Sequence, residues 1–366
     1  MKILFDCRYT RLDRHDGISR YTRGLVAALA ELHPVTMLIS DERQLAMLPD
    51  LPWIMGTPVT SLREPWIARR LNRVQPDIVF SPMQMMGAIG RRYRLILTLH
   101  DLIYYTNRTP PREFSWPIRL GWRAYHLAYW PQRMRLNRAD AIVTGSYTAR
   151  DEISRHRLTR RPVTVVRSAV TLPQQSERER PNSKRLLYMG SFMPYKNVET
   201  IVKALRMLPE YRLHLLSRIS AADRSRLEGL APADSLIFEN GVSDERYLEL
   251  LGSATALVTA SKAEGFGIPV IEAMGVGTPA VISDIPVFHE VGGDAALYFD
   301  PADEVSLADA IRRLERPGEW ESRSSQAFQA AAEFTWQRSA ATLLELARSL
   351  AGEPEAAEDG RNSLLR

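Results

Sequence analysis

The sequence predicts two tandem, doubly wound α/β domains facing each other across a cleft. Three observations lead there. Short apolar runs alternate with amphipathic helical stretches along most of the chain. The alternation breaks once, at residues 171–183, where "TLPQQSERERPNS" has no periodicity, two prolines and a run of charges. The length of 366 residues suits two domains that each bury a core of their own.

The elements follow in order. "KILFDC" (2–7) is a strand, and "GISRYTRGLVAALAEL" (17–32) an amphipathic helix with Ile18, Tyr21, Leu25, Ala28 and Leu32 on one face. Strands are expected at 35–39, 77–81, 94–101, 141–146 and 163–170, each a β-branched or leucine-rich run of the kind a parallel sheet buries on both faces. After the linker, strands "KRLLYMGS", "RLHLLS", "SLIFENG", "TALVTAS", "TPAVISD" and "AALYFDP" alternate with helices at "NVETIVKALRML", "AADRSRLEGL", "DERYLELLGSA", "IPVIEAMGVG" and "EVSLADAIRRLE". The expected division is therefore 1–170 for the first domain and 184–336 for the second. A helix at 337–350 has no strand after it and is free to fold back on either domain, and the tail 351–366 reads as disordered.

Composition narrows the classes. Hydrophobic residues are 45% and charged residues 25%, a globular balance. The single cysteine, Cys7, lies in the first strand and is expected to pack there, so neither a disulfide framework nor a cysteine metal cluster can form; a reducing compartment follows. "MKILFDCRYT" acquires charge too early for a signal peptide, and no apolar run approaches the ~20 residues of a membrane span. The net charge of +5 hides an asymmetry: residues 1–180 carry 29 Lys+Arg against 16 Asp+Glu, and residues 181–366 carry 19 against 27. A basic first half attracts anions.

The most informative stretch is "EGFGIPVIE" (264–272), where two glutamates bracket an otherwise apolar or glycine segment. It follows a strand and opens a helix, the place where open parallel sheets bind ligands. Pro269 suits the first helical turn, and Gly265 and Gly267 let backbone N–H groups come close to a ligand. Carboxylates accept paired hydrogen bonds from vicinal diols, and a nucleotide sugar has one diol on its ribose and another on its sugar. Glu264 and Glu272 could hold its two ends, with the helix N-terminus facing the negative charge between them. A capping glutamate followed by a salt-bridged one fits the same spacing.

The stretch from "YLELLGSATALVTASKAEGFGIPVIEAM" to "YFDP" (247–301) resembles the donor domain of family 4 retaining glycosyltransferases, whose paired Rossmann-like architecture is called GT-B, and the likeness runs from about residue 187 to 350. "GISRYTRGL", "LHDLIYY" and "TGSYTARDEI" extend the likeness into the first half, and "GISRY" and "HDLIYY" resemble mannosyltransferases of that family. The resemblance implies that Glu264 contacts donor-sugar hydroxyls, that the backbone at Gly265, Phe266, Gly267 and Ile268 approaches the sugar and phosphate, and that Glu272 holds the ribose. It also implies that Lys196, in "GSFMPYKNVETIV", steadies the departing diphosphate. Relatives commonly add an arginine near this lysine, where the present chain has Ser191 and Tyr195; Arg218 or Arg20 is then the expected second cation. Val242, in "FENGVSD", falls in a loop that would meet the base. Asp16 can cap the first helix and Gly17 lets a phosphate near its backbone. By resemblance His100 lies at the reacting face, with Asp101 orienting its loop; Arg20, Asp101 and Tyr104 are placed on the acceptor side.

The reaction implied is a retaining, metal-independent hexosyl transfer, from GDP-mannose in first place, to a glycan or lipid-linked acceptor of envelope polysaccharide or glycolipid. UDP-glucose, UDP-galactose and dTDP-rhamnose stay open as donors, and no cofactor is expected beyond the nucleotide sugar. Residues 108–138 hold three Trp, Phe114, Tyr125, Tyr129 and seven Arg against one acid, Glu113. Such interleaving suits an anionic membrane surface, though single-stranded nucleic acid or an aromatic core stripe with a solvated basic back fits as well. A cleft for glycosyl transfer favours the membrane, with a cytoplasmic enzyme peripheral on its inner face and no nucleic-acid partner. A non-catalytic nucleotide-sugar sensor is the alternative from another class. A nicotinamide dehydrogenase is disfavoured, because no Gly-x-Gly-x-x-Gly follows the first strand.

Overall fold

The structure, a computed structural model, describes residues 1–13, 16–110, 115–170 and 180–353. The linker expected at 171–183 lies outside these residues up to 179, as do 111–114 of the basic aromatic segment and the tail from 354 onward. Among the described residues thirteen strands form two wholly parallel sheets. The first contains β1 (Ile3–Asp6), β2 (Val35–Ile39), β3 (Trp53–Met55), β4 (Ile78–Ser81), β5 (Arg94–Thr98), β6 (Ala141–Thr144) and β7 (Val163–Val165), in the order 3-2-1-4-5-6-7. The second contains β8 (Arg185–Tyr188), β9 (Arg212–Leu215), β10 (Leu236–Phe238), β11 (Ala256–Thr259), β12 (Ala280–Ser283) and β13 (Leu297–Phe299), in the order 10-9-8-11-12-13.

In both sheets the chain winds outward one way, then returns to the centre and winds the other way. The crevices where it reverses lie between β1 and β4 and between β8 and β11, beyond the strands' carboxyl ends. Central strands such as β1, β4, β6 and β11 are buried at every position, which is why they read as unbroken apolar runs.

Several elements have no counterpart in the sequence reading, among them helices Ile67–Leu71, Tyr147–Arg155 and Pro286–Gly292; two of the missed elements show why. Strand β3 is three residues long at the sheet edge, too short for any periodicity. Helix Glu319–Ala331 buries Trp320, Ser324, Ala327 and Ala331 along one face, and small residues there do not register as an apolar stripe. The strand expected at 163–170 ends at Val165, because the chain then leaves the sheet and the Val170 N–H bonds the Phe334 carbonyl at 3.1 Å.

Helix Trp336–Ala351 crosses to the first domain and lies along helix Gly17–Leu32, adding Ala340, Leu343, Leu344 and Ala347 to the core around Leu25 and Leu29. Gly24 makes this approach possible, since a Cβ there would sit 2.2 Å from the Trp336 ring. Ser339 Oγ fixes the crossing by donating to the Arg167 carbonyl at 2.8 Å.

Candidate active site

The loops that matter leave β1, β8 and β11, which flank the two crevices, and β5, one strand beyond β4. Gly17 follows β1, His100 follows β5, Lys196 follows β8, and Glu264–Gly267 follow β11. Asp16 caps the first helix by accepting from the Ser19 N–H at 2.9 Å. Beneath this loop the buried Arg8 guanidinium binds Asp6 at 2.7 Å and Glu64 at 2.7 Å, clamping the loop after β1 to the segment after β3. Pro269 lies in the first turn of helix Ile268–Gly275, and Gly267 precedes it at φ +103°, a left-handed backbone suited to glycine.

The two domains meet with their helix N-termini opposed. A Cβ on Gly17 would lie 3.5 Å from Ile268 Cδ1, so the start of helix Gly17–Leu32 faces the start of helix Ile268–Gly275. Both glutamates are engaged by cations. Glu264 Oε1 accepts from Lys196 Nζ at 2.6 Å and from Ser261 Oγ at 2.7 Å. Glu272 Oε1 accepts from the Arg20 guanidinium of the opposite domain at 2.6 Å, and its Oε2 from the Tyr247 hydroxyl at 2.9 Å. Burial holds the Glu272 carboxyl above its ordinary value, and Arg20 draws it back down. The carboxylates bracketing the glycine loop are thus each balanced by a cation drawn from another strand's loop or another domain.

His100 and Asp101 form the opposite wall. His100 Nε2 lies 2.8 Å from the Pro82 carbonyl and donates to it, leaving Nδ1 as an acceptor in the neutral ring. Burial lowers the His100 pKa and so favours that neutral ring, whose edge meets Tyr21 at 5.3 Å. Asp101 Oδ1 accepts from the Ile103 N–H at 3.0 Å, and burial raises its pKa. Tyr195, behind Lys196, is pushed up to about 12, by burial first and then by Glu264.

The Gly265 loop docks directly on this wall. A Cβ at Gly265 would meet Asp101 Oδ2 at 2.9 Å, Asp101 Cβ at 3.1 Å and the His100 carbonyl at 3.3 Å, while Ser146 Oγ donates to the Gly265 carbonyl at 2.9 Å. The neighbouring domain alone leaves little room for a side chain here. A second clamp lies alongside: Glu290 accepts from the Tyr147 and Thr148 N–H groups at 2.8 and 3.0 Å, so a carboxylate of one domain caps a helix of the other.

The remaining sequence candidates are placed as follows. Phe266 turns its ring into the core against Phe334, leaving only its backbone at the loop. Ile268 and Val242 pack beside the same core. Arg218 follows β9 with its side chain against Gly241, and it makes no ion pair among the described residues. Tyr104 meets Trp122 edge-on at 5.0 Å. Ser261, Tyr247, Asp244, Ser146 and Glu290 escaped the sequence reading. Ser146, the cap of helix Tyr147–Arg155, and Asp244, an acid in the first turn after the cap Ser243, left only capping signals. Among the described residues no three His, Cys, Asp or Glu side chains converge as metal ligands do.

Comparison with known proteins gives a consistent result. Residues 15–173 match the family profile "Glycosyltransferase Family 4", and residues 172–332 match "Glycosyl transferases group 1". The sequence is 33% identical over 317 residues to the O-antigen chain mannosyltransferase RfbU of Salmonella typhimurium, covering 82% of this chain and 87% of that protein. The fold resembles sucrose-phosphate synthase of Thermosynechococcus elongatus, with TM-score 0.72 and 20% identity over 96% of this chain and 99% of the other. It also resembles Anabaena HepE in complex with UDP and glucose, with TM-score 0.70 and 18% identity over 95% and 100% of the two chains.

Proposed function

The chain belongs to glycosyltransferase family 4, with the GT-B fold, and on that premise we propose that it transfers mannose from GDP-mannose to a glycan or lipid-linked acceptor of envelope polysaccharide, with retention and without a metal. The observation carrying this reading is the pair of cation–carboxylate contacts, Lys196–Glu264 and Arg20–Glu272, on either side of the glycine loop where two helix N-termini oppose. The mannosyltransferase name of RfbU supports the sugar, and the UDP and glucose in the HepE complex support a nucleotide-sugar donor.

In this reading Glu272 takes the ribose diol and Glu264 the sugar hydroxyls. The helix N-terminus and Lys196 meet the diphosphate between them. The acceptor oxygen bonds to the anomeric carbon as the bond from that carbon to the phosphate oxygen breaks. The acceptor's proton passes to a phosphate oxygen on the same face. Lys196 stabilises the negative charge that builds on the leaving group, and the Glu264 carboxylate favours the positive charge growing on the anomeric centre. Neutral His100 offers Nδ1 to a sugar hydroxyl.

The same proposal has the enzyme cytoplasmic and peripheral on the inner face of the membrane. No helix among the described residues is long and apolar enough to cross a membrane. Helix Trp116–Tyr125 buries none of its side chains: Trp116 is 77% exposed and Leu120 62%, beside Arg119 and Arg123. Trp130 and Met134 of the next helix, 61% and 51% exposed, extend this basic, apolar face. Flotation with anionic vesicles but not neutral ones is expected, and equal flotation with both removes the membrane.

The donor is tested by offering GDP-mannose, UDP-glucose, UDP-galactose and dTDP-rhamnose and recording which raises the melting temperature and is cleaved. GDP-mannose is expected, with cleavage abolished in Lys196→Ala. Stabilisation without cleavage by any preparation would mark a binding protein instead.

A further inference from the structure

Arg20 has two carboxylate partners on the opposite domain. Its guanidinium reaches Glu272 Oε1 at 2.6 Å, contacts Asp244, and lies 5.7 Å from the centroid of the Tyr247 ring. The partners differ in what they can do without it. The Asp244 side chain is 54% exposed, so water can solvate its charge; the Glu272 side chain is 12% exposed and needs a hydrogen-bonding replacement. Tyr247 already covers Glu272 Oε2, which leaves the edge held by Arg20 as the one a diol can approach.

We propose that Arg20 is a donor-displaced cation: the ribose hydroxyls take Glu272 from it, and its guanidinium then turns to the diphosphate as the second positive charge beside Lys196. The inference rests on the nucleotide-sugar reading of this cleft. Arg20 and Glu272 each stand about one helical turn behind the N-terminus of their own helix, and those N-termini face each other across Gly17 and Ile268. A swing of about one turn, ~5 Å along helix Gly17–Leu32, carries the guanidinium into the space ahead of both N-termini. The place just after Gly190 holds Ser191 and the place just before Lys196 holds Tyr195, and neither supplies a charge. Arg20 comes from the first domain, whereas Lys196 and the glutamates come from the second. Diphosphate binding would therefore tie the two lobes together, and occupancy by the nucleoside alone would loosen them.

The test is calorimetric titration of wild type, Arg20→Ala, Arg218→Ala and Asp244→Asn with guanosine and GDP, and in parallel with uridine and UDP. In Arg20→Ala the nucleoside should bind several-fold tighter, because Glu272 is released, while the diphosphate binds roughly tenfold weaker for want of a charge-assisted hydrogen bond. The advantage of diphosphate over nucleoside thus collapses. Asp244→Asn, which loosens Arg20 without touching Glu272, should tighten the diphosphate. An Arg20→Ala protein in which both ligands shift by the same factor would make Arg20 a structural brace and overturn the proposal. So would loss of the diphosphate advantage in Arg218→Ala alone. If wild type binds none of the four ligands, the donor reading itself fails, which separates that failure from the failure of Arg20.

Discussion

Substituting Gly265 by alanine places a methyl group between the domains. Its carbon would lie 3.1 Å from Asp101 Cβ and 2.9 Å from Asp101 Oδ2. Carbon atoms in contact settle at about 3.5–4.0 Å, so the overlap is roughly half an ångström. Rotating Asp101 does not relieve it, because Oδ1 is held by the Ile103 N–H at 3.0 Å and the Cβ cannot move. The loops must separate, stretching the Ser146–Gly265 hydrogen bond from 2.9 Å towards its limit. Overpacking of this kind costs about 1–3 kcal/mol. That cost falls on the docked arrangement, so kcat/KM for donor cleavage should drop by roughly 5- to 150-fold. With an unfolding entropy of about 0.8 kcal/mol per kelvin for 366 residues, the melting temperature should fall by no more than ~4 °C. Steady-state release of nucleoside diphosphate, with a melting curve as control, measures both. Turnover within about twofold of wild type would refute the claim that this docked geometry is the working one.

Gly267→Ala behaves differently: its φ of +103° and a Cβ 2.9 Å from Phe288 place the strain inside one domain, so the main expected effect is a lower melting temperature. Glu290→Ala removes the carboxylate that accepts from the Tyr147 and Thr148 N–H groups while Ser146 still caps helix Tyr147–Arg155, lowering stability by about 1–2 kcal/mol in chemical denaturation, with Glu290→Gln losing about half as much. Gly24→Ala pushes Trp336 off helix Gly17–Leu32, and faster proteolytic release of the C-terminal helix is the expected readout. The lowered His100 pKa means that the unfolded chain takes up its proton first as pH falls through 6.5. The stability from this burial is present above that pH and is lost as pH falls towards the folded value, so denaturation midpoints of wild type should decline over that window more steeply than those of His100→Asn.

Much of this was legible beforehand because buried parallel strands are written as continuous Val, Ile and Leu runs, and because strand–loop–helix junctions carry glycine, proline and capping residues. The two glutamates, Lys196 and Arg20 could all be picked out individually. Their pairing could not, since the contacts span 68 residues in one case and 252 in the other, and nothing local encodes which cation meets which carboxylate. Gly265 was anticipated for ligand approach, and its contact with Asp101 becomes visible only once the domains are docked. Glu290 gave no sign of its role: a glutamate inside "PVFHEVGG" reads as a solvated helix face, yet it caps a helix of the other domain. Helix Glu319–Ala331 was missed because its buried face is built from Trp320 and small residues.

The central claim is that an activated sugar lies against the carboxylate-flanked loop, its diphosphate beside Lys196. A crystal grown with GDP-mannose tests it most directly. The account predicts ribose density within hydrogen-bond distance of Glu272, with the sugar on Glu264 and the pyrophosphate between them. Density for the nucleotide sugar at any other place on the protein, with the Lys196–Glu264 and Arg20–Glu272 contacts undisturbed, would contradict it.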